Sequence, residues 1–387
     1  QVQEGNDMKN SAIKFSAKAA IAAGAIVSVS ALAGAPDARA AAPECAPEAA
    51  EMMDTAKFQK DPPYRIGFAN AAKGDGWLVT FFHTVEHSAE KHADKLEKFI
   101  ITDANGDPTK QISDIQDLMN QDIDLLLVNP ATADALDPIV GRVMRRGVPV
   151  VSAARRVKTD DNFVSFATAS DTSLACHSAT WLAEHLDGKG KIVLLPGKAG
   201  ASPAETRLNT AKEIFAQYPG IEIIDVQYTG WSPANGKSIM SAILQRHGKD
   251  IQGVWADSGL QGSGSVEAFL NAGFKSDEIP PHTGGDLNHM YLLALEHGFP
   301  FIGVDYTPSI GGSAVDLAID ILEGKPVPKQ FVVPAPIVVS EGHDTTTIKG
   351  TVSLKDYAAA NQPGDYIMGH GIGNDYDPKN FSANYPK

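Results

Sequence analysis

Short runs of apolar residues alternate with segments of helical periodicity along this chain, and this alternation limits the possible folds more than any other feature. The runs are continuous rather than interrupted by polar residues, as in strands covered on both faces of a parallel sheet. In the first half they lie at residues 64–69, 99–101, 124–128 and 148–151. The helices between them are predicted at residues 78–96, 109–119 and 133–146. This order predicts a doubly wound α/β unit.

The same order of elements begins again near residue 172. Further strands are predicted at residues 191–195, 222–226 and 253–256, with a short element near Thr283 and a strand–helix pair over 301–322. Further helices are predicted at residues 172–186, 204–217, 235–247, 266–270 and 289–297. Because 387 residues exceed what one hydrophobic core usually holds, we predict two doubly wound, Rossmann-like lobes of similar size.

The first 40 residues have the three parts of a secretory signal peptide. Three lysines follow Met8, an apolar run covers residues 19–35, and an Ala-Arg-Ala sequence ends at Ala40. A membrane span over the apolar run is the alternative, but the run is shorter than the ~20 residues that a span requires. We therefore predict a signal peptide over residues 1–40, export to the periplasm, and a linker over residues 41–61.

The chain is acidic, with a formal net charge of −14 at pH 7. A chain of this charge repels nucleic acids and anionic lipid surfaces, and its basic residues form no continuous stripe. The charge therefore excludes nucleic-acid binding.

The chain has only two cysteines, Cys45 and Cys176. In an oxidising compartment the two could form a disulfide. Alternatively, Cys176 is buried in its apolar helix and Cys45 lies unpaired in the leader. The sequence leaves both possibilities open.

The loops that follow the predicted strands are rich in tryptophan, arginine and aspartate. Ligands of open parallel sheets bind beyond the carboxyl ends of the strands, where these loops meet. Tryptophan faces stack on C–H surfaces, and the charged groups offer donors and acceptors to hydroxyls, so the set suits a polyhydroxylated ligand. Each residue alone has a simpler explanation, since a loop aspartate often caps a helix. The predicted ligand-binding residues are Lys73, Asp75, Trp77, Arg155, Arg156, Arg207, Trp231, Asp257, Ser258, Asp286 and Asp305.

Four short motifs occur in the order found in one known family. They lie at residues 127–135, 147–151, 169–171 and 197–202. From about Tyr64 to Val339 the chain resembles the ribose/galactose-type periplasmic binding proteins that feed ATP-driven importers. The resemblance implies the type I periplasmic binding protein fold, with two parallel-sheet lobes joined by a three-strand hinge.

The resemblance also implies where the lobes begin and end. The three crossings would lie near residues 168–171, 304–308 and 333–336. The first lobe would comprise residues 62–168 and 306–334, and the second lobe residues 169–305 and 335–344. We predict that residues 345–387 form an irregular C-terminal extension packed on the surface.

The ligand positions of this family fall on residues already selected at the strand ends. They correspond to Trp77 beside Asp75, Arg155, Arg207, Trp231, Asp286 and Asp305. Two positions depart from the family pattern. Ala154 stands where an aspartate usually precedes the first arginine, and Ser258 stands where an asparagine is usual. These departures put ribose or glucose itself in doubt.

The function that the resemblance implies is that of the solute-binding component of an ABC importer. Such a protein binds a sugar or polyol by hinge closure, and its partner is a membrane permease. We expect a monomer with no cofactor, no metal and no catalytic activity. The alternative is a periplasmic sensory receptor for another small polar ligand, such as a furanone-type signal or an amino compound.

Two further motifs suggest other chemistry. Residues 83–87 spell H-x-x-E-H, which on a helix can bind zinc in a metallopeptidase. No third ligand is evident, so we interpret His83 and His87 as solvent-facing helix residues. The glycine-rich run at 259–264 lacks the lysine and the spacing of a phosphate-binding loop, and we expect it to open a helix.

Overall fold

A computed structural model describes residues 45, 46, 50–373 and 375–387 of the chain. The predicted signal peptide and part of the predicted linker lie outside the described residues. Over the part that the structure describes, no helix is both long and apolar enough to span a bilayer.

The strands among the described residues are β1 (Met52–Met53), β2 (Tyr64–Asn70), β3 (Leu96–Asp103), β4 (Leu125–Val128), β5 (Val150–Ala153), β6 (Ser165–Thr168), β7 (Lys189–Leu195), β8 (Gly220–Val226), β9 (Gly253–Ala256), β10 (His282–Thr283), β11 (Phe301–Val304), β12 (Val327–Pro328), β13 (Gln330–Val332), β14 (Ile337–Val339) and β15 (Val352–Ser353). The α-helices are α1 (Gly76–Lys91), α2 (Pro108–Met119), α3 (Ala133–Arg145), α4 (Asp171–His185), α5 (Ser202–Phe215), α6 (Pro233–His247), α7 (Gly259–Asn271), α8 (Asn288–His297), α9 (Ile310–Leu322) and α10 (Leu354–Tyr357).

One sheet is six-stranded and parallel, with the strand order β13-β6-β5-β4-β2-β3. Alternate residues of its strands point to opposite faces. Leu125 and Leu127 pack in the apolar core with α1 and α9, whereas Leu126 and Val128 pack with α2 and α3. Helices on both faces explain why the strands are continuously apolar. We call this sheet with α1–α3 and α9 the first lobe.

The other sheet is seven-stranded, with the order β15-β14-β11-β10-β9-β7-β8. Its neighbouring strands are parallel except for β11 and β14. Helices α6 and α7 pack closely, because Gly264 leaves no room for a side chain: a Cβ there would lie 2.1 Å from the carbonyl oxygen of Pro233. The glycine-rich run therefore lies at the start of a helix and permits close helix packing. We call this sheet with α4–α8 the second lobe.

The chain passes between the lobes three times, between β6 and α4, between β11 and α9, and between β13 and β14. The predicted fold class, an α/β protein with two parallel-sheet lobes, is confirmed. The residue bounds that the sequence gives for each lobe stay a prediction.

The two cysteines form a disulfide, so pairing is the correct one of the two possibilities that the sequence leaves open. Cys45 is bonded to Cys176 on α4, with the two Cα atoms 5.4 Å apart. Farther along the chain, the carbonyl oxygen of Glu51 accepts a hydrogen bond from the backbone N–H of Lys329 at 2.7 Å, and β1 pairs with β12. The N-terminal segment is thus attached to both lobes.

The histidines of the H-x-x-E-H sequence are partly exposed, and they also contact the protein. The Nδ1 atom of His83 lies 2.7 Å from the hydroxyl of Tyr376. The ring of Phe381 packs against the rings of both His83 and His87. Burial lowers the pKa of His83 to about 4. Both histidines therefore contact the C-terminal segment, and no group of His, Cys, Asp or Glu within the described ranges is arranged to hold a metal ion.

Two further expectations need correction. Leu96 does not end a helical stripe, because α1 ends at Lys91 and Leu96 begins β3. The C-terminal segment is not wholly irregular, since it contains β15 and α10. Its residues Ile367 and Met368 are buried, so the segment does more than lie on the surface.

Candidate functional site

The loops after β2, β5, β9, β10 and β11 surround a cavity between the lobes. The cavity has a volume of about 40 Å³, and it adjoins a larger outer cavity of about 720 Å³. The outer cavity lies within the range of about 300–1,000 Å³ that is typical of small-molecule pockets. The inner cavity is lined by Asp75, Trp77, Leu78, Ala154, Arg155, Pro203, Arg207, Trp231, Ser258, Leu260, Asp286 and Tyr306.

The start of α1 presents a carboxylate and an indole to the cavity. Asp75 caps the helix, since its Oδ1 accepts a hydrogen bond from the backbone N–H of Leu78 at 2.8 Å. Burial raises the pKa of Asp75, although the hydrogen bond from Leu78 opposes this effect. The Nε1 atom of Trp77 donates to the carbonyl oxygen of Tyr306 at 2.6 Å, and its ring stacks on that of Phe81. Both side chains are therefore fixed before any ligand arrives.

Arg155 follows β5 and is buried beside the cavity, with 7% of the residue exposed. Among the described residues, none accepts a hydrogen bond from its guanidinium group or forms an ion pair with it. Its Cζ atom lies 5.4 Å from the centroid of the Trp231 ring. Burial lowers its pKa, and the charge of Asp75 opposes this shift. A buried guanidinium without protein acceptors needs oxygen atoms from elsewhere.

Arg207, on α5, has its donors engaged by the protein. Its Nε atom donates to Oδ1 of Asp171 at 2.8 Å, and Nη1 donates to the carbonyl oxygen of Asp257 at 3.2 Å. Burial disfavours the charged form of Arg207, but the charges of Asp171 and Asp257 outweigh it and raise the pKa. The guanidinium lies 4.3 Å from the centroid of the Tyr306 ring. Arg207 is therefore a permanent cation in the cavity wall.

Trp231 is held against the cavity by the residues behind it. Its Nε1 atom donates to Oδ1 of Asp257 at 3.0 Å, while Oδ2 of Asp257 accepts from the backbone N–H of Gly197 at 3.0 Å. A Cβ atom at Gly197 would lie 2.0 Å from the indole ring. Glycine at this position is therefore required for the ring to pack where it does.

Asp286 supplies a second carboxylate to the cavity. Its side chain accepts hydrogen bonds from the backbone N–H of Tyr306 and, at 3.2 Å, from the hydroxyl of Ser258. Its own backbone N–H donates to Oδ1 of Asp305 at 2.7 Å. Burial and the nearby charge of Asp305 raise the pKa of Asp286. The site thus combines two carboxylates, two arginines and two indoles around one cavity.

The sequence of residues 66–326 matches the family model of the periplasmic binding protein domain. The chain belongs to the periplasmic binding protein family. The match covers both lobes except β13 to β15 and the C-terminal segment.

Individual relatives match this periplasmic binding protein over part of its length. The ribose import binding protein of Bacillus subtilis is 30% identical over 273 residues, which cover 70% of this chain and 86% of the relative. The xylitol-binding protein of Mycolicibacterium smegmatis is 29% identical over 170 residues, which cover 44% of this chain and 48% of the relative. A solved structure from Mycobacterium smegmatis in complex with β-D-fucofuranose is 27% identical, with a TM-score of 0.64, and covers 70% of this chain and 90% of that one.

Most of the ligand-binding residues predicted for this periplasmic binding protein meet at the inner cavity. Those that line it are Asp75, Trp77, Arg155, Arg207, Trp231, Ser258 and Asp286. Asp257 and Asp305 lie behind the lining, where Asp257 accepts a hydrogen bond from the Trp231 indole and Asp305 accepts one from the backbone N–H of Asp286.

Lys73 and Arg156 do not line the cavity. The Nζ atom of Lys73 lies 3.3 Å from the centroid of the Phe82 ring. Arg156 forms an exposed ion pair with Asp160. Lys73 and Arg156 each lie shortly after a strand in the sequence, but their side chains point away from the cavity.

The lining residues absent from the prediction are Leu78, Ala154, Pro203, Leu260 and Tyr306. Tyr306 follows Asp305 directly, and neighbouring residues of extended chain point in opposite directions. The tyrosine lines the cavity, whereas Asp305 points away from it. The loop after β11 therefore contributes a residue to the site, as the strand end predicts. The sequence alone does not show whether Asp305 or Tyr306 faces the cavity.

Proposed function

We propose that this periplasmic binding protein captures a sugar or polyol between its lobes as the solute-binding component of an ABC importer. The observation that carries the proposal is the buried Arg155, whose guanidinium has no acceptor among the described residues and faces the cavity. Carbohydrate hydroxyls offer such acceptors, and they can donate in turn to Asp75 and Asp286. The apolar faces of Trp77 and Trp231 suit the C–H surfaces of a sugar ring.

The comparisons support a carbohydrate or polyol as the ligand. The relatives are named for ribose and xylitol, and the solved structure holds a fucofuranose. The names of these relatives describe binding proteins or a complex with a solute, and none of the names describes an enzyme. We therefore propose binding without catalysis, and transport rather than sensing as the main use.

The proposed mechanism is closure of two lobes about the three crossings, with the lobes bounded as the sequence predicts. In the structure the lobes touch directly: the backbone N–H of Arg156 donates to the hydroxyl of Ser202 at 3.0 Å. A ligand that contacts residues from both lobes binds the closed form more tightly and shifts the population toward it. The closed surface would then be recognised by the permease.

The proposed setting is the periplasm, reached through the signal peptide predicted at residues 1–40. There the protein would act as a monomer that meets its ligand and then its permease. The disulfide between Cys45 and Cys176 fits an oxidising compartment of this kind.

A thermal-shift screen tests the proposal. The protein without residues 1–40 is heated with pentoses, hexoses, polyols, inositols and amino compounds in turn. A ligand that binds only the folded state raises the melting temperature. A shift with a sugar or polyol supports the proposal, whereas a response confined to amino compounds overturns the ligand assignment.

A further inference from the structure

The C-terminal segment, residues 345–387, lies beyond the part of the chain that matches the family model. Its first half is bound to the second lobe. The side-chain amide of Asn288 donates to the carbonyl oxygens of Ala359 and Pro363, at 2.9 and 3.1 Å. The backbone N–H of Asn288 donates to the carbonyl oxygen of Tyr366 at 2.9 Å. Asn288 is fully buried under the segment.

This first half also holds the loop that carries Asp286. The backbone N–H of Met368 donates to the carbonyl oxygen of Asp286 at 2.8 Å. On the other side, the hydroxyl of Tyr357 donates to Asp305, which accepts from the backbone N–H of Asp286. The segment therefore fixes the backbone of a cavity residue from two directions.

The segment reaches the mouth of the cleft at Ile367. This residue is 3% exposed and lines the outer cavity. A Cβ atom added to Gly76, at the start of α1 in the first lobe, would lie 3.6 Å from the Ile367 side chain. Ile367 therefore stands between the second lobe, to which it is attached, and the first lobe.

The second half of the segment is bound to the first lobe. The hydroxyl of Tyr376 lies 2.7 Å from Nδ1 of His83. The hydroxyl of Tyr385 donates to Glu86 at 3.0 Å, and the ring of Tyr385 packs edge-on against Phe99. The last contact lies on β3, at the edge of the first-lobe sheet, where the backbone N–H of Phe99 donates to the carbonyl oxygen of Pro386 at 2.9 Å.

We propose that the C-terminal segment is a further connection between the lobes, besides the three crossings and the N-terminal segment, and that it completes the mouth of the cleft, positions Asp286 and restrains opening. The three crossings of the chain form the hinge, and a rotation about them moves α1 away from Ile367. That movement must also stretch or release the contacts at His83, Glu86 and Phe99. The proposal relies on the proposed function only for the assumption that the cleft is the ligand site.

The restraint on opening is tested on the ligand-free protein by small-angle X-ray scattering. One variant combines Tyr376→Phe, Phe381→Ala and Tyr385→Phe, and in a second the chain ends after Gly369. The control is Tyr366→Phe, which loses only a hydrogen bond to His370 within the segment. We expect a larger radius of gyration and a larger maximum dimension in the first two and the wild-type profile in the control. A wild-type profile from either folded variant overturns the proposal.

The positioning of Asp286 is tested by hydrogen exchange, also without ligand. Tyr357→Phe removes one donor to Asp305, and we expect the backbone amides of Asp286 and Tyr306 to exchange about ten-fold faster. Unchanged exchange at both amides overturns this part. Both measurements are made without ligand. Their results therefore test this proposal even if the thermal-shift screen finds no sugar or polyol that binds.

Discussion

Arg207 and Asp171 form an ion pair whose two side chains are only 3% and 8% exposed. The Nε and Oδ1 atoms are 2.8 Å apart. Removal of one partner from such a pair leaves the other charge buried without a counter-charge. A mutation of Arg207 therefore changes the stability of the protein as well as the wall of the cavity.

We predict that Arg207→Ala lowers the free energy of unfolding by about 3–5 kcal/mol. The matched control is Arg246→Ala, which breaks an ion pair with Asp225 in which the arginine is 50% exposed. The control substitution should lower the free energy of unfolding by at most about 1 kcal/mol. Urea unfolding of the three proteins measures both values, and equal losses in the two variants would contradict the prediction.

Arg155 allows a cleaner test of the binding site, because no ion pair is lost with it. We predict that Arg155→Met weakens ligand binding by about 2 kcal/mol or more, roughly 30-fold in Kd, since hydrogen bonds from a charged donor are removed. The melting temperature without ligand should stay the same or rise, because a buried cation disappears. Calorimetric titration with the sugar or polyol found by the screen measures the affinity. Lys212→Met, on the outward face of α5, serves as the charge-matched control, and an unchanged Kd in Arg155→Met would refute this role.

The order of strands and helices up to α9 could largely be predicted, because most of these strands contain a short apolar run and the helices between them are periodic. The strand ends then located the site, since Asp75, Arg155 and Asp286 all lie within five residues after the end of a strand. The direction in which each side chain points is harder to predict than the position of the loop, as Asp305 and Tyr306 illustrate. The backbone conformation of the loop determines which side chain points into the cavity, and the sequence of a short loop does not reveal that conformation.

The contacts of the C-terminal segment could not be predicted from sequence. They join residues far apart in the chain, such as Phe99 and Pro386, and no periodic pattern links them. Likewise, nothing in the local sequence around His83 and His87 shows that Phe381 packs against them. The long-range contacts of an aperiodic segment therefore cannot be predicted from the sequence alone.

The Cys45–Cys176 disulfide closes a loop with a sequence separation of 131 residues. A cross-link of this span restricts the unfolded chain, which stabilises the folded state by about 2–5 kcal/mol. We predict that reduction with dithiothreitol lowers the free energy of unfolding by that amount. A double variant with Cys45→Ser and Cys176→Ser should match the reduced protein and show no response to the reductant. A wild-type protein whose stability is the same before and after complete reduction would show that the bond contributes nothing.

The last prediction concerns pH and His282. This residue is fully buried: its Nδ1 atom lies 2.7 Å from the carbonyl oxygen of Pro280, Nε2 lies 2.9 Å from the hydroxyl of Ser265, and the rings of Phe269 and Phe299 pack on it. Burial lowers its pKa to about 4, although the hydrogen bond to Pro280 opposes the shift. The unfolded chain binds the proton more readily, so the contribution of His282 to stability is complete above about pH 6.5 and is lost as the pH falls toward 4.

Between pH 7 and pH 5 we expect wild type to lose about 2 kcal/mol of unfolding free energy more than a His282→Asn variant. The difference between the two proteins removes the contribution of other groups, including the buried acids Asp286 and Asp305, whose raised pKa values act in the opposite direction. Urea unfolding at the two pH values gives both free energies. Parallel pH profiles for wild type and variant would mean that His282 binds its proton equally well in the folded and unfolded states.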